Sequence, residues 1–391
     1  MRDGFVLRSK KYMDRRTFLD LSSKTLAASF GLGLLPLGSE AKGNGFFRLQ
    51  QKKGQYTLID PRGEAFFSLG LNHLDPSPLL HPENLSIWRD KYHNSMEEWL
   101  QQVRADLLDW GFNSVGWVHD VATKRKDHHR HSRNFTYEEY QWLGLPYCHA
   151  LPFADFHHYE SEMRHPDFFS AGFADWCDHV ARTHCARMAE DPLLIGYFYV
   201  DCPAWIHNRQ ESDWKGPLFD PEKLQTEAGK TELFRLASQY YRLTYEAIRR
   251  YDPHHLILGD RYEANRPWTP VVFEAAKPYV DVMSFQNFSL PEKLKKQMNH
   301  FAQLTGKPVL IADVGVPDYD SAVDGKIPQD LERYTSLLKV LPEIPANIGM
   351  HFCGAYYRNR QRRYGLKDEK DQVDVLTVKT IRNANHAFLS Q

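Results

Sequence analysis

The chain of 391 residues is poor in cysteine, with five, and none of them forms a Cys-x-x-Cys pair. An odd count in that pattern points to neither a disulfide framework nor a zinc ribbon. Excess charge of one sign is missing too: 49 Lys and Arg stand against 50 Asp and Glu, so no bulk field draws the chain to nucleic acid. No glycine-rich loop follows the first buried strand, which argues against the phosphate cradle of an open, doubly wound sheet. No internal repeat or low-complexity linker marks off a second domain. Long apolar runs are also absent, and the stretch from Thr25 to Leu37 is too short to span a bilayer well.

What surrounds that stretch carries information. Asp14-Arg15-Arg16-Thr17-Phe18-Leu19 precedes it and Ser39-Glu40-Ala41 follows it, an order that resembles a twin-arginine export signal. Residues 1–41 are therefore expected to be a signal and residues 42–391 a single domain, mildly acidic, periplasmic or secreted, with no membrane contact in the mature form. Export in the folded state suits free thiols made in the cytosol. Cys177 and Cys185, eight residues apart on a helix, are about 12 Å apart by rise per residue and too distant to bridge.

Beyond the signal, short apolar runs alternate with amphipathic stretches. A β-hairpin turning at Asp60-Pro61-Arg62-Gly63 leads into strands expected at Phe66 to Leu71, Asn113 to Val118, Pro146 to Leu151, Leu194 to Val200, Leu256 to Gly259, Val280 to Phe285, Val309 to Ala312 and Gly349 to Gly354. Between them, Met96 to Trp110, Phe168 to Glu190, Thr231 to Arg250 and Gln329 to Leu341 read as helices by apolar spacing. Eight such units predict an α/β protein, a (β/α)8 TIM barrel with a short N-terminal hairpin.

In such a barrel the chemistry sits where the strands stop. The residues there are Asn72 and His73, Trp117 and His119, His149, Asp201 and Cys202, Asp260 and Arg261, Gln286 and Asn287, Asp313, and Tyr356 with Arg358. Trp205 lies in the insertion after the fourth strand. Carboxylates, amides and rings converging on one mouth suit a carbohydrate, because ring faces stack on sugars while polar groups take the hydroxyls. No cofactor is called for. His128, His129 and His131 in "KRKDHHRHSR" are crowded in a basic, hydrophilic loop and read as a solvated segment, so no metal is expected. Arg358, Arg360, Arg362 and Arg363 suit an anionic sugar or contacts within the fold.

"DPRGEAFFSLGLNH", "IGYF" with a Trp seven places on, "GKPVLIADVG" and "YYRNR" resemble the retaining (β/α)8 glycoside hydrolases of clan A, nearest to agarase-like and β-galactosidase-like members. The resemblance implies an acid/base Glu after the fourth strand and a nucleophile Glu after the seventh. Asp313 stands at the second place; at the first, Asp201 falls where the family has Asn and Cys202 where it has Glu. Two shorter carboxylates widen the gap between them, from about 5.5 Å toward the 6.5–9.5 Å of an inverting enzyme. Asp201 is thus expected as general acid, Asp313 as base for a water, and Asp260 as the reserve carboxylate. The alternative is a carbohydrate-binding barrel that does not hydrolyse.

Overall fold

All eight strands expected from the alternation are present, and they close on themselves. The computed structural model describes residues 43–124, 129–156, 166–205, 222–265 and 268–391; the expected export signal lies outside them. Strands β1 (Arg48–Lys52), β2 (Gln55–Ile59) and β3 (Ala65–Phe66) form an antiparallel sheet. The staves of the barrel are β4 (Ser68–Leu71), β5 (Ser114–Val115), β8 (Tyr147–Ala150), β9 (Leu194–Asp201), β10 (Leu256–Glu263), β11 (Met283–Gln286), β12 (Val309–Val314) and β13 (Asn347–Phe352). Each is parallel to its neighbours, and β13 pairs with β4 to complete the ring. A hairpin of β6 (Val121–Lys124) and β7 (His129–His131) stands between β5 and β8.

Two strands differ instructively from expectation. Phe66 to Leu71 divides at Phe67, so that Ala65–Phe66 pairs with β2 and Ser68–Leu71 enters the ring. The fifth stave does not stop at Gly259 but continues to Glu263. Gly259 has φ 64° and lies at a register shift against β9. The glycine is a bulge inside the strand, not its end. The turn at Asp60 forms as expected, with Asp60 N donating to Glu64 O at 2.8 Å.

Helices run on the outside because their starts are capped and one stripe of each is apolar. Ser95, Ser170, Thr226 and Asp330 each accept a backbone N–H from the first turn of the helix that follows. Trp99, Val103 and Leu107 on the Met96–Asp109 helix are fully buried against the barrel wall. Inside the ring a second core contains Ile195, Phe198, Leu258, Val282, Leu310 and Ile348, joined by Phe47 and Leu58 from the N-terminal sheet. Tyr56 N donates to Pro345 O and Tyr56 Oη to Gly306 O, both at 2.9 Å. These two acceptors precede β13 and β12, so the small sheet floors the end where the strands begin. The opposite end, where they finish, is the mouth.

Candidate active site

The centre of the mouth is a buried cation. Arg261, near the end of β10, is fully buried with its guanidinium 4.5 Å from the Trp117 ring and 5.7 Å from Phe198. Its Nη1 donates to Asp201 Oδ1 at 2.7 Å, and its Nη2 reaches Ala312 O at 3.2 Å and Asp313 Oδ2 at 3.4 Å. A charge removed from water requires such partners. Because the two nitrogens belong to one planar fork about 2.3 Å across, those two carboxylate oxygens are no more than about 8.5 Å apart. Gln286 Nε2 also donates to Asp201 Oδ1. Asn72 Nδ2 donates to Asp313 Oδ1 at 2.6 Å, while Asn72 Oδ1 accepts from Trp117 N at 2.7 Å.

Beneath this layer a histidine fills the lumen. His351 Nε2 lies 2.9 Å from Ser68 Oγ, which is 2.8 Å from Ser114 Oγ. Glycine is required opposite the ring: a Cβ on Gly116 would come within 2.4 Å of His351 Nδ1 and 2.2 Å of Asn72 Oδ1. Burial, with Arg261 adding to it, pushes the His351 pKa down to about 3. Burial likewise lowers His119 to about 4 and His73 well below the usual range. His73 Nδ1 contacts His119 O at 2.5 Å and its Nε2 is 3.9 Å from Asp313. The Asp313 carboxyl is raised by burial first, against the lowering effect of Arg261.

The structure thus brings together Asn72, His73, Trp117, Asp201, Arg261, Gln286 and Asp313. Other expected site residues face elsewhere. Asp260 is directed outward between wall and helix, where Tyr241 Oη (2.5 Å), Tyr240 Oη (3.2 Å), Val200 N (3.2 Å) and Trp205 Nε1 (3.3 Å) donate to it. Trp205 therefore anchors a buried carboxylate and packs on Phe156, rings 5.0 Å apart. Tyr356 is fully buried, stacked on Trp110 and bonded to Asp106 at 2.5 Å. Asn287 donates to Gln297. Arg358, Arg360 and Arg362 pair with Glu369, Glu83 and Asp120, and Arg363 donates to Gly325 O, so the arginine run serves contacts within the fold. His149 lies against His184 outside the lumen, its Nε2 2.9 Å from the His184 Nδ1.

Glu263 was not among the residues read from the sequence. Ending the fifth stave at Gly259 hid it; the run Leu256, Leu258, Arg261, Glu263, read with a bulge at the glycine, is the signal that finds it. Cys202 is buried with φ 46°, its N donating to Arg261 O at 3.0 Å. Burial pushes its thiol pKa well up, which makes it a poor proton donor.

Among the described residues, His73, Asp313 and Cys353 place potential metal-binding atoms within 4.8 Å of one another. Arg362 Nη1 lies 3.4 Å from the Cys353 sulfur and Arg261 3.4 Å from Asp313. Two fixed guanidinium charges oppose a further cation there. Beside Asp201 opens a cleft of about 950 Å³ whose walls include Trp117, His119, Asn134, Asp155 and Trp176. His131 also lines it, while His128, and Trp214 of the insertion expected to bring rings to the mouth after the fourth strand, lie outside the described residues.

No family model matches the chain. The beta-agarase B of Vibrio sp. (strain JT0107) is 20% identical over an alignment of 428 positions that covers 81% of this chain and 44% of that protein. The chain thus spans less than half the length of this curated relative. Among solved structures, the agarase AgWH50C matches with a TM-score of 0.67 at 17% identity, over 98% of this chain and 70% of the other. An exo-beta-agarase matches with a TM-score of 0.69 at 16% identity, over 98% and 71%. A GH2 beta-galacturonidase from Eisenbergiella tayi reaches 0.54 at 13% identity, over 87% and 54%. The resemblance to agarase-like glycoside hydrolases extends to the whole barrel, and at these identities it is a likeness of fold.

Proposed function

We propose that this chain is a glycoside hydrolase that cleaves a polysaccharide or its fragments at the mouth of the barrel. One observation carries the reading: Asp201 and Asp313, from the fourth and seventh staves, meet on a single guanidinium beside a cleft walled by Trp117 and Trp176. Carboxyl groups gathered within that reach of one another are close enough to act on one glycosidic bond. Asp313 is the base. Arg261 and Asn72 favour its anion, and the water it activates attacks with inversion at the anomeric carbon. The leaving oxygen takes its proton from a second carboxyl of the mouth.

An agar-type galactan, neutral or sulfated, is the first substrate to try, given the agarases this fold matches. Purified protein incubated with a panel of neutral and sulfated glycans is expected to release sugars, and Asp313→Asn to do so at least about 100-fold more slowly. NMR of the first product should show the inverted anomer. Retention, or full activity of Asp313→Asn, contradicts the assignment.

Cys202 favours a second reading, a barrel that binds carbohydrate without hydrolysing it, since no Glu stands at the place the resembled family gives its acid/base. Calorimetric binding to a glycan with no turnover decides for that reading. Export by the twin-arginine route is part of the proposal, and changing Arg15 and Arg16 to Lys should retain the protein in the cytoplasmic fraction.

A further inference from the structure

Glu263 closes β10 at the level of the mouth. Its neighbour Tyr262 packs outward on Phe273 and Phe285, with rings 4.9 and 5.8 Å apart. Arg261 enters the lumen, and the two-residue period of a strand places Glu263 on that same lumen face. The ladder agrees. Arg261 is opposite Ser284 and Glu263 is opposite Gln286, whose amide reaches Asp201. Gln286 is in turn opposite Asp313 on β12. Glu263 and Asp313 therefore stand at one height, two strand spacings apart, with backbones about 9 Å from each other on the curved wall.

Asp201 is set lower, level with Arg261, and its Oδ1 already accepts from Arg261 and Gln286. Those donors favour a carboxylate, not an acid that must give up a proton. Cys202 lies at the end of β9, its N bonded to Arg261 O and its thiol within the field of Glu263. In the resembled family that place holds the acid/base.

We infer that Glu263 is the general acid of the hydrolysis proposed above, a carboxyl displaced by one stave from the place Cys202 now occupies. The inference rests on that hydrolase reading. In the step, the glycosidic C–O bond breaks as Glu263 passes its proton to the leaving oxygen. A water oxygen bonds to the anomeric carbon from the opposite face, and its proton goes to Asp313. Solvent then returns one proton to Glu263 and takes one from Asp313.

The test compares Glu263→Gln, Glu263→Asp and Asp201→Asn with the unaltered protein, on the glycan it cleaves and on a dinitrophenyl glycoside of the same sugar. A good leaving group needs no acid. Glu263→Gln should lose at least 100-fold in kcat on the glycan and less than about fivefold on the dinitrophenyl glycoside, with KM little changed. The alkaline limb of its pH–rate profile should vanish, and Glu263→Asp should recover part of the rate. Equal losses on both substrates, or leaving-group dependence in Asp201→Asn instead, overturn the inference while sparing the hydrolase. An unaltered protein that cleaves neither substrate removes the hydrolase reading itself.

Discussion

Arg261 is the residue on which the mouth depends. It neutralises one of two nearby carboxylates, and without it both would face each other in a water-poor space. Replacing it with Met is expected to cost about 3–5 kcal/mol in urea unfolding, the range for breaking a buried pair from one side. Asp313 works as a base only when ionised, so activity falls as pH drops through its pKa. Burial has raised that pKa and Arg261 lowers it; losing Arg261 should move the acid limb of any remaining activity to higher pH. Gly116→Ala is a second residue-scale test. Its methyl would displace Asn72 from Asp313, and kcat should fall more than KM rises. Asn72, Asp201, Arg261 and Asp313 were legible because polar residues at strand ends have few structural reasons to be there. Asp260 and Tyr356 share that description in sequence, yet a shift of one residue along a strand changes the face, and no local pattern announced their buried partners or that of Trp205 in the insertion.

At the scale of the element, β10 separates what can be read from what cannot. Its apolar run announced a strand, but Gly259 punctuated it and hid the last four residues. Tertiary contact decides the matter: Arg261 and Glu263 pair with β11 and carry the ladder past the bulge. The other staves and the four helices read from the sequence were placed to within a few residues, since alternation and apolar spacing are local signals; the β6–β7 hairpin and the remaining helices were not named. Outward on the same strand, Asp260 has its pKa raised from 3.8 to about 6, burial outweighing its hydrogen bonds. A carboxyl raised on folding favours the folded state most when protonated. Its contribution is present at about pH 4 and lost as pH rises through 6, by on the order of 2–3 kcal/mol. Asp260→Asn should remove that fall: the stability difference between the two proteins, from denaturant melts, should change between about pH 4 and 6 and be flat above.

Among the described residues the eight staves form a ring with one open end. Phe47 and Leu58 fill its base, so Leu58→Ala should lower global stability by about 2–5 kcal/mol while KM stays unchanged, the mouth lying at the far end. This floor was legible only as a hairpin; that it packs under the ring follows from contacts such as Tyr56 to Pro345, which join positions remote in sequence. The same contacts govern how the chain is made. β4 must wait for β13, and Tyr56 for residues nearly three hundred places later, before either has a permanent neighbour. Such distant closures are slow to form. During synthesis the first half leaves the ribosome with bare strand edges and nothing to seal them. Chains halted before Phe352 should be consumed by proteases rather than persist as smaller folded bodies.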